Sequence, residues 1–317
     1  MKNNPNFTNK EKIEGYVYGI GSSFNVLSVR ETKEKPDRPV TKYIAGDLDI
    51  AVDEEGLNVV TVHYTYVTET YKNGKTNSTY TTLKKIIDNP DRIWVNGGKE
   101  NAYKVQCTGV AISLNDFIAK DGTKVAAIQN SGGFCAFVNE LCKPEERNTF
   151  STDMLITKVT HTDADPEKHI DSDYTTVSGC IFGYGPVILP VSFVVRNAQG
   201  MKYFEDLDAS ASNPVFTKVW GRINCRTITF TQTEESAFGE AAVQTSERKS
   251  REYVITGTAK VPYDFGDEDV LTAEDVKTMS QNRQVLLAEV ENRFNNKPAT
   301  TSATGPAAVV PNGDFDF

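Results

Sequence analysis

The chain has 317 residues, 38% of them hydrophobic, and a net charge of −9, which gives length for two domains and apolar content for packed cores. No run of about 18 apolar residues occurs and no apolar segment follows the polar N-terminus, which argues against a membrane span or a secretory signal and for a cytoplasmic protein. Five widely spaced cysteines and three isolated histidines argue against disulfides and metal sites, and no phosphate loop or Gly-x-Ser-x-Gly elbow speaks for an enzyme, so no cofactor is expected.

Residues 1–14 read as a polar N-terminal arm. A first β unit is expected over residues 15–142. Strands near 41–52 and 57–70 are joined by a turn at Asp53-Glu54-Glu55-Gly56. In the second of these, Tyr64 and Tyr66 share a face, where they either close the core or stack on bases. Asn73-Gly74 is a hairpin signal. It implies a ribbon returning over 76–82, tipped by Lys72 and Lys75 and flanked by Tyr71 and Tyr80. Residues 82–88 suggest a short helix, and further strands are expected at 92–96 and 103–114. The strand at 92–96 puts Arg92 and Trp94 on one side.

The polar stretch at 139–150 marks the boundary, with a second unit over 143–265. Its segments echo the first: 153–161 resembles 24–32, 174–180 resembles 41–47, and 187–194 resembles 57–62. Trp220 follows Ser212-Asn213-Pro214 much as Trp94 follows Asp88-Asn89-Pro90. In a strand through 219–230, alternation places Val219, Ile223 and Cys225 on one face and Trp220, Arg222, Asn224 and Arg226 on the other. A long loop near 231–250 ends with Arg248, Lys249 and, after Ser250, Arg251. Three strands, a short helix and two strands, twice over, is the order of the OB-fold, a five-stranded Greek-key barrel. The fold class expected is therefore mainly β, two tandem OB-folds followed by a C-terminal helix and an acidic tail.

The helix is expected over 266–297. Thr272 caps it, Asp275 stands three residues on, and Val276, Met279, Val285, Leu286 and Val290 form a stripe suited to the barrel or to a second subunit. Residues 298–317 read as a flexible linker and a tip, Asp314, Phe315, Asp316 and Phe317. From Asp264 on the charge is −6, which leaves −3 for the body and room for a basic groove.

With those residues in place the chain resembles a single-stranded DNA-binding protein of the phage or bacterial type, whose OB-fold body carries a linker and an acidic tip ending in Phe. The tip here is shorter in acids than the usual form. The resemblance implies sequence-tolerant binding and protection of single-stranded DNA in replication, recombination or repair, with the tip recruiting partner proteins. Stacking then falls to Trp94, Trp220, Tyr64, Tyr66, Tyr71 and Tyr80. Phosphate contacts fall to Arg92, Arg222, Arg226, Lys72, Lys75, Arg248, Lys249 and Arg251. The alternatives are a β-rich phage tail or capsid protein, and an RNA-binding OB-fold protein.

Overall fold

A computed structural model of the chain describes residues 7–21, 25–34, 39–119, 121–165, 170–234 and 242–296, without the side chains of 226–249. In chain order the first half comprises β1 (Asn9–Gly19), β2 (Ser28–Glu31), β3 (Lys42–Ala51), β4 (Val59–Thr68), α1 (Ser78–Asp88), α2 (Trp94–Gly97), β5 (Lys104–Ile118), β6 (Lys124–Ser131) and β7 (Phe134–Phe137). The second half comprises β8 (Asn148–Thr162), β9 (Tyr174–Phe182), β10 (Ile188–Val195), α3 (Ala198–Glu205), β11 (Val215–Glu234), β12 (Ala242–Thr258) and α4 (Ala273–Asn295).

Each half closes on itself in the same strand order. β1 pairs with β3, β3 with β4, β4 with β6, β6 with β5, and β5 returns to β1. The β4–β6 pairing is parallel and the others are antiparallel. In the second half β8, β9, β10, β12 and β11 close in the same way, with β10–β12 parallel. These are two OB-folds, each with its helix between the third and fourth strands. Asparagine caps both helices: Asn77 Oδ1 accepts from Thr79 N and Asn197 Oδ1 from Gly200 N.

The two barrels meet through their first strands. β1 pairs with β8 from Asn9↔Thr152 to Ile13↔Asn148, so β7–β5–β1–β8–β11–β12 forms one continuous sheet. Ile13 and Val17 of β1, Phe150 of β8 and Val219 and Ile223 of β11 all face the same side, into a single apolar core shared by both barrels. The opposite side faces outward along the whole sheet. Further along β8 and β9 it is covered: Leu155, Cys180, Phe182 and Phe216 pack under Leu271 and under Val276 and Met279 of α4.

Several expectations require correction. Residues 9–14, read as an arm, are the first half of β1, because Glu11 and Ile13 alternate inward between β5 and β8. The Asn73-Gly74 turn forms, with Tyr71 N bonded to Lys75 O, but no return strand follows, since Asn77 caps α1 instead. Tyr80 is consequently buried on the first turn of that helix. Residues 92–96 are not a strand either. Pro90 starts a 3-10 turn, Ile93 is buried, and Trp94 opens α2, which ends at Gly98 with φ +81°. The fourth strand is β5, which runs to Ile118, and the fifth is β6. The tip, Asp314 to Phe317 in the numbering, lies outside the described residues.

Candidate nucleic-acid interface

Alternation along β11 survives as expected through residue 225: Val219, Gly221 and Ile223 are buried while Trp220 is exposed. The indole of Trp220 lies on Gly257 of β12, where an added Cβ would stand 2.5 Å from Nε1 and 2.6 Å from Cε2. No other residue type leaves room for the ring there. Trp220 is 41% exposed, a large value for a tryptophan on a sheet.

Register sets the neighbours of that ring. Lys10, Ser151, Trp220 and Gly257 stand directly opposite one another on β1, β8, β11 and β12. The next row holds Lys12, Thr149 and Arg222. Lys218 precedes Trp220 on the same face. Opposed residues share a face, so four cations surround one exposed indole. Lys10 and Lys218 form no ion pair among the described residues. Lys12 Nζ reaches Glu14 at 3.2 Å and Cys142 Sγ at 3.3 Å. Burial of Lys12 opposes its charge, yet these bonds win and raise its pKa. Arg222 donates to Pro144 O at 2.8 Å and to Asn148 Oδ1 at 3.2 Å, which leaves part of its donor fork for a phosphate.

The segment between β7 and β8 bounds this face on one side. Cys142 N donates to Glu14 and Gln106 Nε2 donates to the same carboxylate, so the Glu14 pKa is lowered despite burial. Beyond that segment lies a second aromatic group. Trp94 sits edge-on to Tyr16 (5.5 Å) and beside Tyr18 (5.7 Å), with Lys99 Nζ 5.8 Å from its ring. Lys99 and Arg147 both bond Glu54, whose pKa is pulled down to about 2 by these hydrogen bonds. Tyr16 is six residues from Lys10, about 20 Å along a strand. The two tryptophans therefore do not share one patch. Arg92 turns away from Trp94 and lies 4.8 Å from the Tyr103 ring.

The remaining predicted residues scatter. Tyr64 is 1% exposed, with its hydroxyl 3.5 Å from Cys107 Sγ, and belongs to the core. Tyr66 is 53% exposed and packs on Tyr43. Tyr71, Lys72 and Lys75 stand on the exposed turn before α1. Arg251 points toward the first barrel, where Nη1 donates to Ile128 O at 2.8 Å. The backbones of Arg226, Arg248 and Lys249 lie in the β11–β12 ribbon, paired Arg226↔Ser250, Thr227↔Lys249 and Ile228↔Arg248. Their side chains are outside the described set.

Sequence reasoning missed Lys10, Lys12 and Lys218. Lys218 shares the Trp220 face of β11 by the same alternation; Lys10 and Lys12 alternate on β1, and only the β1–β8 pairing brings them to Trp220. The outer β3–β4 face of the first barrel is the usual OB-fold ligand surface. Here it carries Asp49, bonded to Thr61 (2.6 Å), and Asp47, bonded to His63 (2.6 Å), both of which repel phosphate. Among the described residues no three His, Cys, Asp or Glu side chains converge to hold a metal ion.

Residues 19–293 match a family model described as YorF. No curated protein gives a match. Among solved structures the chain is similar to the single-stranded DNA binding protein from Thermus aquaticus. The wild-type form gives 9% identity, a TM-score of 0.45 and coverage of 81% of this chain and 95% of that one. A deletion mutant gives 11%, 0.44, 83% and 98%. The OB-fold assignment rests on the strand order rather than on this likeness.

Proposed function

The chain belongs to the YorF family, and for this member we propose sequence-tolerant binding of single-stranded DNA on the outer face of the shared sheet. The observation that carries the reading is the exposed indole of Trp220, laid on Gly257 with Lys10, Lys218 and Arg222 around it. Bases stack on such a plate and phosphates seek the surrounding cations, without any need for base-edge contacts. In this reading the protein is a binding protein rather than an enzyme. It protects strands exposed in replication, recombination or repair, in the host cytoplasm if phage-encoded, and the tip (Asp314, Phe315, Asp316 and Phe317) recruits partner proteins.

The test is a fluorescence titration of the Trp94→Phe variant, in which Trp220 alone reports, with oligo-dT, oligo-U and duplex DNA at several salt concentrations. Saturable quenching by oligo-dT, weakened by salt and weaker with duplex, is expected. Preference for oligo-U would move the protein to RNA, read through the 2′-hydroxyl. Binding of labelled oligo-dT by anisotropy with an unchanged Trp220 signal would displace the site.

A further inference from the structure

We infer that one polynucleotide strand crosses from the second barrel to the first, running perpendicular to the β-strands and ending on Phe134. This rests on the single-stranded DNA reading and adds its path. Phe134 is 61% exposed on β7. It stands opposite Thr108, which is opposite Lys12, which is opposite Thr149, which is opposite Arg222. A single register row thus runs through five strands of both barrels. At about 4.8 Å per strand, its ends are about 19 Å apart.

A lone exposed ring means little; its place in this row gives Phe134 meaning. Each end of the path has an aromatic ring beside a glycine of the neighbouring strand. Trp220 lies on Gly257, and the Phe134 ring comes within 3.8 Å of a Cβ built on Gly109. From Phe134 the row passes the Thr108 hydroxyl, Lys12 and the Thr149 hydroxyl to Arg222, two residues along β11 from Trp220, whose own row adds Lys10 and the Ser151 hydroxyl. Neither row contains a carboxylate. The nearest are Glu14, bonded by Cys142 N, Gln106 and Lys12, and Asp153, opposite Lys218 and bonded by Thr8 N and the Tyr263 hydroxyl. Stacking at both ends with positive charge between them fits a flexible strand of single-stranded DNA.

The experiment measures anisotropy of labelled oligo-dT over a ladder of lengths, for wild type, Phe134→Ala, Phe134→Tyr and Trp220→Ala. Phe134→Ala is expected to weaken long oligonucleotides about tenfold while leaving those too short to span the row unchanged. Phe134→Tyr, which keeps the ring, restores wild-type affinity, and long oligonucleotides bind one per chain. The path is overturned if Phe134→Ala matches wild type at every length while Trp220→Ala weakens binding, or if its loss is the same at all lengths. Absence of oligo-dT binding by wild type would instead remove the underlying reading.

Discussion

Glu11 occupies the least comfortable position in the molecule. It is 3% exposed, faces inward from β1 at the seam of the two barrels, and neither carboxyl oxygen has a hydrogen-bond partner. Desolvation raises its pKa from 4.5 to about 8, against the opposing pull of Arg251 and Tyr253. The Tyr253 hydroxyl is close enough to matter, but its hydrogen goes to Asn130 Oδ1. The folded state therefore holds Glu11 protonated while the unfolded chain releases the proton. Its contribution is fully favourable below about pH 4.5 and declines until about pH 8. Near pH 8 the accumulated cost is roughly 3–5 kcal/mol. Glu11→Gln should stabilise the protein at pH 8, leave it little changed at pH 4.5, and flatten the denaturant midpoint against pH between them. A wild-type midpoint independent of pH over that window would place water or a cation at the carboxylate. A second residue-scale expectation concerns Gly257. Ala there would lift the indole of Trp220 off its bed. Gly257→Ala should lower oligo-dT affinity severalfold while changing stability by no more than about 1 kcal/mol.

Among the elements, α4 is tied to both barrels. Val276 and Met279 bury against the outer face of the second. Arg283, itself buried, forms a fork with Asp116 of β5 in the first, at 2.7 and 3.3 Å. Removing one partner of a buried pair strands the other charge. Asp116→Ala should therefore cost roughly 3 kcal/mol in a denaturant titration and speed proteolysis of α4. Asp116→Leu combined with Arg283→Met should recover most of the loss; recovery failing would show that the pair fixes geometry rather than merely cancelling charge. The helix itself was legible in the sequence, because Thr272 and Asp275 form a reciprocal capping box, but of the expected stripe Val276 and Met279 are buried while Val285 and Leu286 are exposed. Also legible were β3, β4, β9 and β10, from their alternating apolar residues, although Cys180, Phe182 and Ile188 at one end of β9 and β10 are also covered on the outside. Of the stretch from Asn77 to Asn101 only 82–88 was legible, as a short helix that α1 contains. Thr79, Tyr80, Thr81 and Thr82 have strand propensity, and only the cap from Asn77 and the burial of Leu83 and Ile86 turn them into α1. Ile93-Trp94-Val95 likewise looks like a strand until Pro90 and Gly98 bracket it as helical turns.

At the scale of the whole molecule, the proposed function requires a net charge of −9 to coexist with an anionic ligand. Position settles the conflict: the continuous outer sheet gathers Lys10, Lys12, Lys218 and Arg222, while the carboxylates nearest them, Glu14 and Asp153, are buried and hydrogen-bonded. That gathering was illegible in the sequence because it depends on pairing between strands separated by more than 130 residues, Lys10↔Ser151 being one case. Trp220 and Arg222 could be picked out from local alternation; Lys10 and Lys12 could not. The number of cations predicts how binding responds to salt. Each phosphate neutralised releases counterions, and for single strands the slope of log K against log salt is about −0.7 per contact. Four contacts on this face give a slope of about −3. Lys10→Gln, which removes an exposed cation without disturbing an ion pair, should make the slope shallower by about 0.7 and leave duplex binding as weak as before. A wild-type slope much steeper than this would bring the β11–β12 ribbon, with Arg226, Arg248 and Lys249, onto the same strand. A slope near zero would mean that stacking alone holds the ligand, and the cation row would then have no part in binding.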